Sequence, residues 1–176
     1  MAYFSPTSIL TDAQKVPCTF ELAVPHLKPL NSGSSIDQGT KLDLPLWMGE
    51  MLALDTHTDP LATMEMPTAL GQRVMNALRA DAKSVDLRAQ AQWFYGLGER
   101  MLFLFEDDEM VDVLTNTFKK RAHEIADKAQ NTRGVQQGGD SNDFVMGLDE
   151  TERLLFRSSH ESTQAVKKWF ETSSRA

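Results

Sequence analysis

The sequence contains a single cysteine, Cys18, in 176 residues. One cysteine forms no internal disulfide and cannot anchor a cysteine-based zinc site. No run of about 18 apolar residues is present, so we expect no membrane-spanning helix. The first residues lack a basic stretch followed by an apolar one, so we also expect no secretory signal. These absences favour a soluble protein of a reducing compartment, either the cytosol or the nucleus.

Basic residues are also scarce. Lysine and arginine total 18 against 25 aspartate and glutamate residues, which gives a net charge of −7. Proteins that hold nucleic acid through its phosphates, or that lie on anionic membranes, usually carry the opposite balance. We therefore expect no membrane association and no strong DNA binding by this chain alone. The basic clusters are Lys119–Arg121 and Lys167–Lys168, and a stand-alone DNA-binding helical module that uses the first of them is an alternative.

Proline is absent after Pro67, and all seven prolines lie at or before that residue. Proline breaks the interior of a helix because it lacks an N–H group and clashes with the preceding turn. The distribution therefore predicts a mainly α-helical fold in two modules. A small β-rich module should occupy residues 1–64, and an α-helical bundle should occupy residues 65–176.

The N-terminal module has the alternation that is typical of strands. Apolar and polar residues alternate from Val16 to Pro25 and again over Lys41–Pro45, which predicts two strands. Short helices are expected over Ser8–Gln14 and from Pro45 onward, since proline suits the first position of a helix. A sheet this small needs support from other elements.

Helical spacing of apolar residues in the second module predicts four helices. The first begins at Pro67, and the second is capped by Ser84 and ends near Phe105. The third begins at Asp107 or Asp108, and the fourth runs from about residue 142 to residue 172. The positions at helical spacing in the third helix are Met110, Leu114, Phe118 or Thr117, Arg121 and Ile125. Those in the fourth are Phe144, Leu148, Leu155, Val166 and Trp169 or Phe170.

The second of these helices is apolar on nearly every side. Its apolar residues are Trp93, Phe94, Tyr95, Leu97 and the run from Met101 to Phe105. A helix that is apolar all round must be covered all round. The sequence leaves two alternatives open, because either the rest of the bundle or a partner chain can supply the cover.

Several short patterns are similar to catalytic or ligand-binding motifs, but none is complete. The acidic stretch Glu106–Asp112 is dense enough to hold Mg²⁺, although acidic residues are also favoured at a helix N-terminus. His123-Glu and His160-Glu lack the second histidine of a zinc protease helix. Gly96-Leu-Gly98 lacks the third glycine and the strand of a dinucleotide-binding loop. We therefore predict that the chain is not an enzyme, with no catalytic residue, cofactor or metal. A metal-dependent hydrolase that uses residues 106–112 with His123 is the alternative.

Several longer blocks carry a family resemblance and together span most of the chain. They are Gln14-Lys-Val-Pro-Cys-Thr-Phe20, Gly39-Thr-Lys-Leu-Asp-Leu-Pro-Leu-Trp47, Val74-Met-Asn-Ala-Leu-Arg-Ala-Asp81 with Val85-Asp-Leu87, and Ser158-Ser-His-Glu-Ser162 with Lys167-Lys-Trp-Phe170. In this order and spacing they resemble the GINS complex family, specifically subunit 3, the third of its Psf subunits. The block from Gly39 to Trp47 is the most specific.

The resemblance implies that a β-rich domain precedes a helical domain. It also implies a non-catalytic scaffold subunit in an obligate heterotetramer with three sister GINS subunits. That assembly joins the MCM helicase ring and the CDC-type recombinase-like co-activator in the CMG replicative helicase, which serves initiation and elongation of chromosome replication. It also bridges to the leading-strand DNA polymerase. The implied location is the nucleus, and no cofactor is implied because ATP hydrolysis belongs to the MCM ring.

A scaffold subunit needs surfaces for its sisters. The aromatic and methionine-rich face of the second predicted helix, together with the third helix, is the predicted surface. The predicted interface residues are Trp93, Phe94, Met101, Leu102, Phe105, Met110, Leu114 and Phe118.

Overall fold

The computed structural model of the chain describes residues 5–54, 60–130 and 140–173. The chain divides into two compact units, an N-terminal unit of residues 1–71 and a C-terminal unit of residues 72–176. The predicted fold class is confirmed, since a small sheet near the N-terminus is followed by a set of helices. The domain boundary predicted between residues 64 and 65 stays a prediction.

The N-terminal unit combines a three-stranded sheet with short helices. Its helices and strands are α1 (Pro6–Asp12), β1 (Lys15–Phe20), β2 (Lys41–Pro45), α2 (Leu46–Ala53) and β3 (Ala62–Met64), with 3-10 helices at Pro25–Asn31 and Thr68–Leu70. Both predicted strands are present. The first ends at Phe20 and not near Pro25, because the chain then turns into the first 3-10 helix. Pro45 ends β2 and precedes α2, where it was expected to be the first helical residue.

The sheet is antiparallel and has the order β2-β1-β3. Alternation in β1 places Val16, Cys18 and Phe20 on its buried face, where none is more than 1% exposed. Helix α2 packs on the sheet through Gly49, which has no side chain to separate it from β1. A Cβ atom at Gly49 would lie 3.0 Å from the Cys18 Sγ. Cys18 is therefore a small core residue, and burial raises the pKa of its thiol.

The C-terminal unit is helical throughout the part of it that the structure describes. Its helices are α3 (Gln72–Ala80), α4 (Leu87–Gln90), α5 (Phe94–Phe105), α6 (Asp108–Gln130), α7 (Asp140–Met146) and α8 (Glu150–Ser173). The predicted third helix is confirmed as α6. The first was expected from Pro67, but α3 begins only at Gln72, after the 3-10 helix.

Two predicted helices are each divided in two. The one expected from Ser84 to Phe105 is interrupted at Ala91, where the backbone is extended, and Asp86 caps its first part by accepting a 2.9 Å hydrogen bond from the Ala89 N–H. The one expected over residues 142–172 is interrupted at Gly147. Neither break contains proline, and the spacing of apolar residues continues across both. The sequence pattern therefore did not reveal them.

The longest helices, α6 and α8, lie side by side and run in the same direction. Arg121 of α6 binds Glu152 of α8. About two turns further along both helices, the Ala129 carbonyl lies 3.2 Å from the His160 Nδ1. Helix α6 ends at Gln130, so α8 continues for about three turns beyond that end. The unit's apolar core forms around α5 and α6, from Leu78, Leu87, Phe94, Leu97, Met101, Met110, Leu114, Ile125 and Leu148.

Gly147 allows the α7–α8 turn to approach the start of α4 closely. Its carbonyl accepts hydrogen bonds from the Leu87 and Arg88 N–H groups at 3.0 and 3.3 Å. A Cβ atom at Gly147 would lie 3.2 Å from the Asp86 Cα, which is backbone and cannot simply rotate away.

We expect Gly147→Ala to lower the free energy of unfolding by about 1–3 kcal/mol, because the added methyl forces the two backbones apart. Urea unfolding followed by circular dichroism measures the change. Ser158→Ala, on the exposed side of α8, is the control and should stay within about 0.5 kcal/mol of wild type. Equal stability of the two variants would contradict the close-packing explanation.

Candidate protein–protein interface

A buried arginine organises the C-terminal unit. The Arg121 side chain on α6 is 0% exposed, and all five of its N–H donors have acceptors. Its Nε and Nη2 donate to the two carboxylate oxygens of Glu152 at 2.7 and 2.9 Å. The remaining donors bind the carbonyls of Ala82, Val85 and Gly147. The guanidinium also lies 4.8 Å from the ring centre of Phe144.

Two more buried groups connect α5 to this ion pair. The Tyr95 hydroxyl donates to the Glu152 Oε1 at 3.0 Å. Asp149 caps α8 by accepting from the Glu152 N–H at 2.8 Å, and its other oxygen accepts from the Tyr95 N–H at 3.3 Å. Burial raises the pKa of Asp149 to about 6 and also raises the pKa of Tyr95. These bonds fix the starts of α5 and α8 against α6, and so determine which sides of the helices face outward.

The DNA-binding alternative loses one of its three residues in this arrangement. It required Lys119–Arg121, but the Arg121 charge is fully buried and neutralised by Glu152. Lys119 and Lys120 are exposed. The basic surface required by that alternative has only two of its three residues, because Arg121 lies on the inner side of α6, at the helical spacing of Leu114 and Ile125.

The acidic stretch at residues 106–112 forms the start of α6. The Asp107 carboxylate accepts a 3.1 Å hydrogen bond from the Met110 N–H, as a helix cap does. Glu109 forms an ion pair with Arg79. Among residues 5–54, 60–130 and 140–173, no group of three or more His, Cys, Asp or Glu side chains is placed to hold a metal ion. Within the same ranges, no helix is both long and apolar enough to cross a membrane.

The predicted interface residues fall into two sets. Phe94, Met101, Met110 and Leu114 are at most 7% exposed and belong to the core of the C-terminal unit itself. Because these four side chains are buried within the unit, we do not retain them in the proposed interface, which stays a prediction. The outward-facing set consists of Trp93 and Leu102, which are half-buried, and Phe105 and Phe118, which are exposed.

Helix α8 exposes apolar side chains that the sequence analysis identified at helical spacing in the fourth predicted helix. Val166, Trp169 and Phe170 are 50–64% exposed, and Leu155 is exposed as well. The Trp169 and Phe170 rings contact each other edge to face at 4.9 Å. At helical spacing these four residues lie on one side of α8, which we call the α8 stripe. Trp169 and Phe170 have no cover from α6 because they lie beyond its end.

The N-terminal unit has an apolar surface of its own. Trp47 and Met51 on α2, and Leu54 directly after its end, follow one another at helical spacing and are 46–69% exposed. Ile9 and Leu10 on the adjoining α1 are also about half exposed. Exposed apolar side chains that cluster in this way are typical of surfaces that bind other proteins.

Comparison with known proteins places both units in one family. Residues 4–54 match the family model described as the PSF3 N-terminal domain, and residues 69–171 match that of the GINS complex protein helical bundle domain. The chain is 55% identical to the DNA replication complex GINS protein psf3 of Aspergillus fumigatus, with 96% of each chain covered. It is 55% identical to the protein of the same name from Phaeosphaeria nodorum, with 96% of this chain and 95% of the relative covered. The corresponding protein of Schizosaccharomyces pombe is 35% identical, with 96% and 97% covered.

Glu152→Ala should lower the free energy of unfolding by about 3–5 kcal/mol, because it leaves the Arg121 charge buried without a partner. Chemical denaturation measures the loss. Lys83→Ala is the control, since it breaks the exposed Lys83–Glu124 ion pair and should cost about 1 kcal/mol or less. A Glu152→Ala variant as stable as this control would contradict the role assigned to the buried pair.

Asp149 gives the stability a pH dependence of known sign. Its pKa of about 6 in the folded protein exceeds the ordinary value of 3.8, so the folded state binds the proton more tightly. The resulting stabilisation is present below about pH 4 and is lost as the pH rises through about 6. Between about pH 4 and pH 7, wild type should lose on the order of 2 kcal/mol of unfolding free energy that Asp149→Asn does not lose. The difference in stability between the two proteins should therefore shift in favour of the variant by that amount. Urea titrations at both pH values measure it, and a constant difference would contradict the assignment.

Proposed function

The chain belongs to the PSF3 family of GINS complex proteins, and from this premise we propose that it is a non-catalytic scaffold subunit of a heterotetramer with three sister GINS subunits. Its role lies in DNA replication, and its partners are other GINS subunits. In the fuller proposal the tetramer joins the MCM helicase ring and the CDC-type recombinase-like co-activator in the CMG helicase, for both initiation and elongation. The leading-strand DNA polymerase is a further partner, and the location is the nucleus.

The observation that carries the scaffold role is the α8 stripe. Leu155, Val166, Trp169 and Phe170 form an apolar surface on a helix that extends about three turns past its neighbour. Covering a large apolar side chain contributes about 1.5–3 kcal/mol. Permanent interfaces are apolar at their centre and rich in aromatic residues, and the stripe has this composition. We assign the stripe to a contact with a sister subunit.

The outward-facing residues on α5 and α6 extend this assignment. Trp93, Leu102 and Phe118 are the residues of the predicted interface that we retain for contact with a sister. Tyr95 packs edge to face on Phe118 at 5.2 Å, and Tyr95 is itself held by Glu152. The buried ion pair thus supports this surface from behind. Phe105 directly precedes a group of carboxylates at residues 106–109, and we do not assign it to this surface.

The experiment is co-expression of the full chain with its three sisters, followed by native mass measurement of the purified complex. We expect a 1:1:1:1 particle with wild type. Trp169→Asp combined with Phe170→Asp should reduce co-purification at least tenfold, because it places two charges in the centre of an apolar contact.

The matched control is Gln164→Asp combined with Lys168→Asp, two exposed residues on the other side of the same helix. The control variant should assemble like wild type, and circular dichroism should show equal helical content in both. If wild type stays a monomer in the presence of the sisters, the scaffold proposal is wrong. If both variants assemble equally well, the assignment of the α8 stripe is wrong.

A further inference from the structure

The turn between α5 and α6 exposes an unusual number of apolar side chains. We call residues 103–112, which form this turn and its flanks, the hairpin tip. Phe103 is 74% exposed, the largest exposed fraction among the chain's described large apolar residues. Phe105 and Val111 are each 42% exposed. Contact of these apolar side chains with water is unfavourable, and their burial by another protein would be favourable.

The same ten residues carry five exposed carboxylates, at Glu106, Asp107, Asp108, Glu109 and Asp112. Glu109 is paired with Arg79, and Asp107 is engaged as the cap of α6. In the part of the chain that the structure describes, no ion pair involves Glu106, Asp108 or Asp112. Within the described ranges, these three carboxylates are therefore not neutralised by an ion pair, although Asp112 lines a cavity together with Arg79 and Lys120.

The hairpin tip is held in one conformation. Glu106 has a left-handed backbone, with φ of 48°, and its N–H donates to the Leu102 carbonyl at 3.0 Å. On either side of the turn, Met101 and Met110 are buried and anchor the tip to the core. A partner therefore meets a preformed surface and loses little free energy in ordering it.

The composition of the hairpin tip separates it from the α8 stripe. Permanent subunit interfaces are depleted of charge at their centre, as the stripe is. A surface that mixes aromatic residues with unpaired carboxylates instead favours electrostatic recognition, which speeds association and weakens in salt. This difference favours a partner that binds and leaves over a permanent sister contact.

We propose that the hairpin tip is a docking surface for a basic, amphipathic helix from a protein other than the sister subunits. Asp108 and Asp112 are one turn apart on α6, so their carboxylates match lysine or arginine residues one turn apart on a partner helix. The apolar face of that helix covers Phe103, which has the largest exposed fraction of the apolar side chains at the tip. This proposal goes beyond the scaffold role and rests on it, because the partner is defined as a protein other than the sisters; co-purification tests the scaffold role and peptide binding tests the docking surface.

The experiment uses the full chain co-purified with its sisters and fluorescein-labelled helical peptides as probes. One peptide has lysines one turn apart on one face and leucines on the other. A second has glutamate in place of each lysine, and a third has serine in place of each leucine. Fluorescence anisotropy at low and high salt measures binding. We expect the lysine–leucine peptide to bind more tightly than either of the others, and more weakly at high salt.

Two variants of the hairpin tip test the two halves of the surface. Glu106→Gln with Asp108→Asn and Asp112→Asn should weaken binding about tenfold, since each exposed charge pair contributes about 0.2–1 kcal/mol. Phe103→Ser should weaken it to a similar extent without changing the salt dependence. Both leave Asp107 and the Arg79–Glu109 pair intact, so the start of α6 keeps its cap.

The control removes three carboxylates elsewhere in the same unit, through Asp127→Asn, Asp143→Asn and Glu161→Gln. It matches the tip variant in net charge and should bind the peptide like wild type. If control and tip variant weaken binding equally, the attraction is only that of an acidic protein, and the proposal is overturned. It is also overturned if the assembled complex does not bind the lysine–leucine peptide, because a sister then occupies the surface.

Discussion

The ion pair between Arg121 and Glu152 is the contact on which the rest of the C-terminal unit depends. A charge that is fully removed from water is tolerable only when a counter-charge and further hydrogen bonds surround it. Arg121 meets that requirement through acceptors in three separate parts of the chain: α8, the loop after α3 and the turn after α7. No rearrangement of any one of them leaves the arginine satisfied. The polar bonds therefore specify one arrangement, while the apolar core supplies most of its free energy.

Because this pair sets the alignment of α6 and α8, it also determines which apolar residues become surface. Glu152 lies opposite Arg121. Since α8 continues further beyond Glu152 than α6 continues beyond Arg121, the end of α8 has no part of α6 beside it. A shift of between two and three turns would be needed to bring Phe170 level with the end of α6. The exposed aromatic residues are thus a consequence of where a buried salt bridge lies. Inner and outer positions on a helix are decided by the end of its neighbour as much as by its own sequence.

Local signals in the sequence predicted much of the fold. Alternation found β1 and β2, the proline distribution found the change from sheet to helices, and the acidic residues at 106–109 marked the start of α6. The breaks at Ala91 and Gly147 were missed because apolar spacing continues across both. A signal for the second was present, since Asp149 and Glu152 have the spacing of a helix capping box. Glu152 uses its side chain for Arg121 instead.

The surfaces were harder to predict than the elements. Four of the eight predicted interface residues are core, because a helix that is apolar on all sides is mostly covered by its own unit. The exposure of the aromatic end of α8 could not be predicted, because the spacing of apolar residues does not reveal the length of the neighbouring helix. Arg121 stood within an apolar series between Leu114 and Ile125, and a charge at such a position is the trace that a buried ion pair leaves in a sequence.

Glu152 follows Arg121 by 31 positions in the sequence, and this separation affects folding during synthesis on the ribosome. At about 5–20 residues per second, the arginine emerges roughly 2–6 s before Glu152 follows it. Throughout that interval a cation intended for the interior has no anion to bind, and α6 cannot dock permanently on the helices already made. The unit can complete its folding only when its last helix begins to emerge. The apolar segments of the nascent chain are therefore exposed before they can be buried.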